Sequence, residues 1–442
     1  MPDIADPAVG RLIEARWVLP VEPDGVLLSD CAIVVQNGLI KAVLPTHEAR
    51  ARFPAAERIP LPDHIVMPGL VNLHTHAAMT LLRGLADDLP LMAWLNHHIW
   101  PAEGKHASAR FVRDGTLIAC AEMIRGGITC FNDMYYYPEA AAQAALEAGM
   151  RAALGIIVIE FPTAYASDPQ DYLAKGLAAR DELKHEPLLS FCMAPHAPYT
   201  VSDRSLTQVL TLAEQLDVPI HLHLHETNDE LAQEMTRHGS RPLHRMKALG
   251  MLGPNLIAVH AIHVDEGEIE LLASHGCHVA HCPSSNLKLA SGFAPVARYL
   301  DAGINVGLGT DGAASNNRLD LFEEMRLAAL LAKAVSGRAD ALPAHTALRM
   351  ATLNGARALG LEDRIGSLVP GKQADLAAVN LSSLAMSPCY DPVSHLVYCA
   401  SRSDVSDVWI AGQRVLESKH LTTVNEHELL SCASTWRERL KE

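Results

Sequence analysis

The stretch Pro68-Gly69-Leu70-Val71-Asn72-Leu73-His74-Thr75-His76 decides how the rest of this chain is read. Residues 65–73 are mostly apolar with β-branched members, which predicts one buried strand. Side chains alternate faces along a strand, so His74 and His76 point the same way. Two imidazoles side by side at a strand end can hold one metal ion. On its own the pair is weak, because two histidines at this spacing arise often by chance and a polar strand end is the more common explanation. Its meaning comes from the rest of the chain.

Downstream, short apolar segments alternate with helical ones. Residues 114–125 and 139–148 have helical spacing, and each run ends at a glycine, Gly126 and Gly149. Further strands are expected at 128–133, 152–160, 188–194, 219–225, 256–263, 277–282 and 304–309. With 65–73 these make eight β/α units over roughly 300 residues, the pattern of a closed parallel barrel. An open doubly wound sheet is the competing α/β topology, but no GxGxxG opens a helix after an early strand.

The two ends have a different texture. Residues 31–45 alternate and turn at Asn37-Gly38, a dipeptide suited to a tight hairpin. A helical segment at 344–359 ends the barrel pattern; turn-and-strand texture resumes at 366–376, and 405–416 reads as a second hairpin around Ala411-Gly412. The expected fold is therefore α/β: a (β/α)8 TIM-like barrel of residues 66–364 inserted in a small β-sandwich domain built from residues 1–65 and 365–442. No internal repeat or flexible linker is visible.

With 442 residues, 49% hydrophobic and 20% charged, the chain has the composition of a soluble globular enzyme. A formal net charge of -15 argues against nucleic acid as a partner, and says little about a small substrate. The nine cysteines are scattered without a CxxC, so no disulfide framework is expected. Met1 to Arg16 lacks the basic-then-apolar order of a signal peptide, and no uncharged run reaches the length of a membrane span. A cytoplasmic location is expected, with a homo-oligomer left open.

Barrel enzymes place their sites at the C-terminal ends of the strands. The expected strand ends carry His74 and His76; His196 in Ala194-Pro195-His196-Ala197-Pro198-Tyr199; His223 with Glu226 three further on; His260; and Asp311 in Gly309-Thr310-Asp311-Gly312. Gathered at one rim, such groups would be unfavourable to bury unless a metal or substrate satisfied them. His221 and His225 share a strand face with His223 and are ligands by spacing alone, but only His223 stands three before a glutamate, so the other two are read as structural. His281, on the seventh strand, is read evenly as site lining or packing. Arg151, entering the third strand, is read as a structural salt bridge.

Pro-Gly-Leu-Val-Asn-Leu-His-Thr-His, His-x-x-Glu, His260 and Gly-Thr-Asp-Gly together resemble the amidohydrolase superfamily of metal-dependent hydrolases. The likeness covers nearly the whole chain, including the Gly-Ser-Leu-Val-Pro-Gly-Lys-Gln-Ala-Asp run near the C-terminus. Within the superfamily, Trp100-Pro101-Ala102-Glu103, Ala194 to Ser202 and His223-Leu224-His225-Glu226-Thr227 look most like the 5'-methylthioadenosine/S-adenosylhomocysteine deaminases.

That resemblance implies a single divalent ion, zinc or else iron, on His74, His76, His223 and Asp311. Many two-metal relatives carry a modified bridging lysine where this chain has His196, which supports one ion. The implied reaction is hydrolytic deamination of the adenine ring of 5'-thio-substituted adenosines, releasing ammonia. Glu226 would protonate ring nitrogen N1, as a non-ligand glutamate does in zinc deaminases of another fold. Asp311 would carry the proton of the attacking water to the leaving nitrogen, and His260 would orient that water. His196 and Glu103 would contact substrate, Glu103 through the ribose hydroxyls, with Leu89, Leu91, Met92 and Trp94 expected to cover a thioether. The alternatives are a sibling deaminase of guanine, another purine or a pterin, a chlorotriazine hydrolase, and a catalytically dead barrel kept for binding. The last predicts decay among the ligands, and none is missing.

Overall fold

The computed structural model describes residues 10–441. Four strands open the chain: β1 Arg11–Val18, β2 Leu28–Gln36, β3 Leu39–Pro45 and β4 Glu57–Pro68. The barrel strands come next as β5 Leu70–Thr75, β6 Ile128–Asp133, β7 Arg151–Val158 and β8 Leu189–Pro195. They continue as β9 Ile220–Leu224, β10 Leu256–His260, β11 His278–His281 and β12 Asn305–Leu308. After the barrel come β13 Leu376–Asn380, β14 Val405–Ile410, β15 Gln413–Glu417 and β16 His420–Leu421.

Strands β5 to β12 pair in sequence order, every pair parallel, as one eight-stranded sheet. The first and last strands meet at their C-terminal ends and bring the barrel close to closure. Asp311 N–H donates to the His74 carbonyl at 2.9 Å, and Asn72 and Thr310 exchange two hydrogen bonds at 2.8 and 2.9 Å. Gly309 permits this approach, since a Cβ there would lie 2.9 Å from the His74 backbone nitrogen. At the other end, Val71, Leu73, Ile257 and Val259 pack against Ala356 and Leu359, at the helix Leu353–Ala358.

The remaining strands form one continuous sheet in the order β16-β15-β14-β13-β4-β1-β2-β3. It curls over its own apolar face, where Ile13, Ile33, Ile40, Val66, Leu376 and Trp409 are buried together. The hairpin tip at Gly38 thereby reaches Ala374, whose N–H donates to its carbonyl at 2.9 Å. Both ends of the chain build this sheet, as expected. We propose the corresponding division into a barrel domain of residues 66–364 and a composite domain of residues 1–65 plus 365–442; residues 1–9 and 442 of the latter lie outside the described residues.

Two sequence expectations need correcting. Residues 65–73 are not one strand: β4 ends at Pro68 in the outer sheet, paired with β13, and β5 begins at Leu70 in the barrel. Gly69 is the crossing point, where a Cβ would fall 2.1 Å from Thr129 Oγ1 and no larger residue fits. Likewise 344–359 is two helices, Ala344–Met350 and Leu353–Ala358, broken at Thr352. The break frees the Ala351 carbonyl to accept Val71 N–H at 2.9 Å.

Arg151, at the start of β7, joins the two sheets. Its guanidinium reaches the Asp375 carboxylate by two hydrogen bonds at 3.0 and 3.1 Å, both side chains being buried. This is the structural ion pair expected of it. The nine cysteines are all free thiols. Among the described residues no helix is long and apolar enough to cross a membrane.

Candidate active site

The β5 pairing register brings His74 to the strand end and His76 just past it, and both rings meet Asp311. His74 Nε2 and His76 Nε2 each lie 3.3 Å from Asp311 Oδ1. From β9, His223 Nε2 comes within 3.2 Å of His74 Nε2. His260, ending β10, points Nε2 at Glu226 Oε1 (3.8 Å) and Asp311 Oδ2 (4.0 Å). Ligand atoms of His74, His76 and Asp311 all fall within 4.8 Å of one another, as do those of His74, His223 and His260. All these residues are buried except His76, which is partly so.

The chain bends sharply to aim these groups. His225, His260 and Asp311 take left-handed conformations with φ of 57°, 69° and 59°. Such backbone is unfavourable by about 1–3 kcal/mol per residue and persists where surroundings enforce it. Here hydrogen bonds do so. Glu230 accepts from the amides of His225 and Glu226 at 3.0 and 2.7 Å, while Ser285 Oγ donates to Asp311 Oδ2 at 2.6 Å.

The hydrogen bonds of the rings fix where their lone pairs face. His76 Nδ1 donates to the Met134 carbonyl at 2.6 Å, His223 Nδ1 to the His196 carbonyl at 2.8 Å, and His260 Nδ1 to Asn286 Oδ1 at 2.8 Å. The Nε2 atoms of His76 and His260 therefore turn toward Asp311, and that of His223 toward His74 Nε2. Burial drives the His74 imidazole down to about 4 and His223 well below its ordinary range, so both are neutral. Burial works the same way on His76, but the Asp311 hydrogen bond and charge outweigh it and lift that ring to about 9. For Asp311 burial favours the neutral form, and the hydrogen bonds and charge of His74 and His76 overcome it, holding the carboxyl well below the usual range. The cluster thus draws positive charge onto itself. Imidazole nitrogens gathered around one ionised carboxylate are a donor set that fits a divalent cation such as zinc.

The other expected residues surround one cavity, lined by Glu103, His196, Glu226 and His260 together with Asp311 and His76. Glu103 comes from the helix Trp100–His106, in the insertion between β5 and β6, and is buried. Tyr135 Oη donates to its Oε1 at 2.6 Å, yet burial still raises the carboxyl to about 7. His196 Nδ1 pairs with Thr200 Oγ1 at 2.9 Å. Burial raises the Glu226 carboxyl, which favours the protonated acid. Leu91 and Trp94 line this cavity as expected; Leu89 and Met92 do not, and Leu95, Trp100 and Phe161 take their place.

His221 and His225 are structural neighbours. His221 Nε2 lies 2.9 Å from His74 Nδ1, while His225 binds the His263 carbonyl and the Leu243 amide. His281 does not line this cavity; together with Asn286 it lines a separate, smaller one. Tyr135, Ser285 and Asn286 escape a reading of the sequence alone. The available signal was proximity to strand ends: Ser285 and Asn286 follow His281 in His-Cys-Pro-Ser-Ser-Asn, and Tyr135 lies two residues past Asp133, the end of β6.

The amidohydrolase family model matches residues 65–415. A protein of Teredinibacter turnerae named 5-methylthioadenosine/S-adenosylhomocysteine deaminase is 48% identical, the match covering 97% of each chain. One of the same name from Saccharophagus degradans is 49% identical over 97% of this chain and 96% of its own. Among solved structures, an adenosine deaminase from Xanthomonas campestris with bound zinc is 51% identical. It superposes with a TM-score of 0.97 over 98% of this chain and 99% of its own.

Proposed function

The chain belongs to the amidohydrolase family, and on that premise we propose that it hydrolytically deaminates the adenine ring of 5'-thio-substituted adenosines. It is a hydrolase acting on C–N bonds. 5'-Methylthioadenosine would yield 5'-methylthioinosine and S-adenosylhomocysteine would yield S-inosylhomocysteine, each with ammonia. The single structural observation that carries this reading is the meeting of Glu226, His260 and Asp311 beside three histidines at the mouth of one barrel.

In this reading His74, His76, His223 and Asp311 hold one zinc ion, with iron as the alternative loading. When bound, such an ion supplies Lewis acidity and lowers the pKa of a coordinated water toward neutrality. Glu226 delivers a proton to N1 as C6 becomes tetrahedral, so that charge does not build on the ring. Asp311 accepts one proton of the attacking water and hands it to the amine as the C6–N bond breaks, while the proton left on the C6 hydroxyl returns to Glu226 as the carbonyl forms. His260, fixed through Nδ1 by Asn286, orients that water with its free Nε2. His196 and Glu103 bind substrate, Glu103 accepting the ribose hydroxyls while Tyr135 holds its carboxyl in place. A buried carboxylate in the cavity wall, Glu103, supports a nucleoside over a free base.

Relatives 41–49% identical over nearly their full lengths bear the deaminase name, which weighs against a guanine, pterin or chlorotriazine sibling. A cytoplasmic location, with no nucleic-acid partner, belongs to the same reading. Ammonia release against adenosine derivatives, guanine, a pterin and a chlorotriazine tests it. Turnover confined to the adenosines is expected, and turnover confined to the free bases or the triazine overturns it.

A further inference from the structure

A second chamber of about 200 Å3 adjoins the catalytic cavity at Glu103 and shares walls with it. Trp100, Glu103, Tyr136 and Phe161 line both spaces, and Gly104, Ala107 and residues 162–164 complete the chamber. Among the described residues, no lysine or arginine lines either one. Lys175 reaches the same loop, but its Nζ is engaged by the Tyr165 carbonyl at 2.6 Å and by Asp171 at 2.9 Å. The charged side chains the two spaces do contain are carboxylates and histidines.

We propose that this chamber receives the 5' substituent and selects uncharged thioethers over those ending in an amino-acid group. The inference rests on the deaminase reading and narrows its substrate class. With the base at Glu226 and Asp311 and the sugar at Glu103, the chamber that shares the Glu103 wall is the neighbouring space for the 5' group. A methylthio group entering it gives up only apolar surface to Trp100, Tyr136 and Phe161, which is favourable. A carboxylate entering it leaves water for apolar walls, finds no cation, and approaches the Glu103 carboxyl. The accompanying ammonium gains little, because Glu103 is already committed to the ribose hydroxyls and Tyr135.

Size alone does not make this selection, so the test must separate charge from length. 5'-Butylthioadenosine carries the carbon chain of the homocysteine tail without its two charges. With the enzyme as isolated, kcat/KM for butylthioadenosine should stay within about tenfold of methylthioadenosine, while S-adenosylhomocysteine falls at least roughly thirtyfold below butylthioadenosine. A second arm adds the missing cation. At Gly104 a Cβ meets nothing within 4 Å, so G104R has room, and G104Q controls for bulk. G104R, and not G104Q, should raise the homocysteine-to-butylthio ratio by about tenfold. Equal rates on S-adenosylhomocysteine and butylthioadenosine in the parent enzyme would overturn the selection by charge. A ratio unmoved in G104R would overturn the placing of the 5' group in this chamber. Absence of deamination on every adenosine would instead defeat the underlying function.

Discussion

The Nδ1–H of His223 donates to the backbone carbonyl of His196 across 2.8 Å, and that bond determines what the opposite nitrogen does. A carbonyl only accepts, so Nδ1 must carry the proton and Nε2 is left as a bare lone pair. That lone pair faces His74 Nε2 at 3.2 Å, with Asp311 Oδ1 next in line. Nitrogen and carboxylate donor atoms brought this close together at one end of the barrel are placed as the ligands of a single cation would be.

The first prediction is therefore one of stoichiometry. One tightly bound divalent ion per chain is expected, and His76→Ala or His223→Ala should remove both ion and activity. His196 Nδ1 is taken by Thr200 Oγ1 at 2.9 Å. Elemental analysis returning two ions per chain would defeat the mononuclear site and reopen the role of His196.

Glu226→Gln separates chemistry from assembly. The amide keeps the shape, and its oxygen and nitrogen still meet the polar wall, but it has no acid proton for N1. Metal content should stay normal while kcat falls by about 10²–10⁴-fold, the range of a general acid–base step. Near-normal turnover would mean that another group supplies the proton.

Arg151 and Asp375 give a test of stability away from the chemistry. Removing one partner of a buried pair leaves the other uncompensated, which is destabilising by about 3–5 kcal/mol. Arg151→Met should lower the urea midpoint substantially, and pairing it with Asp375→Leu should recover much of the loss. Single and double variants with equal midpoints would show that the pair is not coupled.

Much of this was legible because strand periodicity and strand-end chemistry coincide. The eight barrel segments and their polar termini follow from apolar runs closing on His74, His196, His223, His260 and Asp311. What escaped was set by packing. Gly69 splits an apolar run between two sheets because Thr129 sits against it, and nothing local to 65–73 announces that neighbour. Asn286 orients His260 from 26 residues away in sequence, a relation that only the fold creates. Proximity in sequence groups Met92 with Leu91 and Trp94, yet Met92 does not line the catalytic cavity that those two face.

Glu103 should leave a signature in the pH dependence of stability. Burial raises its carboxyl from 4.5 to about 7, so between these values the folded protein keeps a proton that the unfolded chain has lost. Its contribution is therefore fully present below pH 4.5 and is lost as pH rises through 7. Glu103→Gln cannot titrate, so relative to the parent it should gain stability over that window, by up to about 3 kcal/mol. Parallel stability curves for the two proteins from pH 4 to 8, measured without substrate, would show that Glu103 titrates normally.

The last prediction concerns what Glu103 recognises. Its carboxyl is held by Tyr135 at 2.6 Å and faces the cavity from the helix Trp100–His106, where two neighbouring ribose hydroxyls can donate to it. A free base brings no such donors, so the buried carboxyl is left with its Tyr135 bond alone, and sites built to bind a hydroxyl reject analogues lacking it by as much as about 10⁴-fold. Adenine should accordingly be a far poorer substrate than any nucleoside. The same loss should appear when the carboxyl is removed: Glu103→Ala should raise KM for methylthioadenosine strongly and leave the slow reaction with adenine nearly unchanged. Burying the methylthio group adds about 0.8 kcal/mol for each methylene-sized unit, so methylthioadenosine should exceed adenosine in kcat/KM by roughly tenfold. Kinetics on adenine, adenosine and methylthioadenosine with the parent and Glu103→Ala decide the matter. Equal rates on base and nucleosides in the parent would remove Glu103 from ribose recognition, because no other acid on that helix faces the cavity.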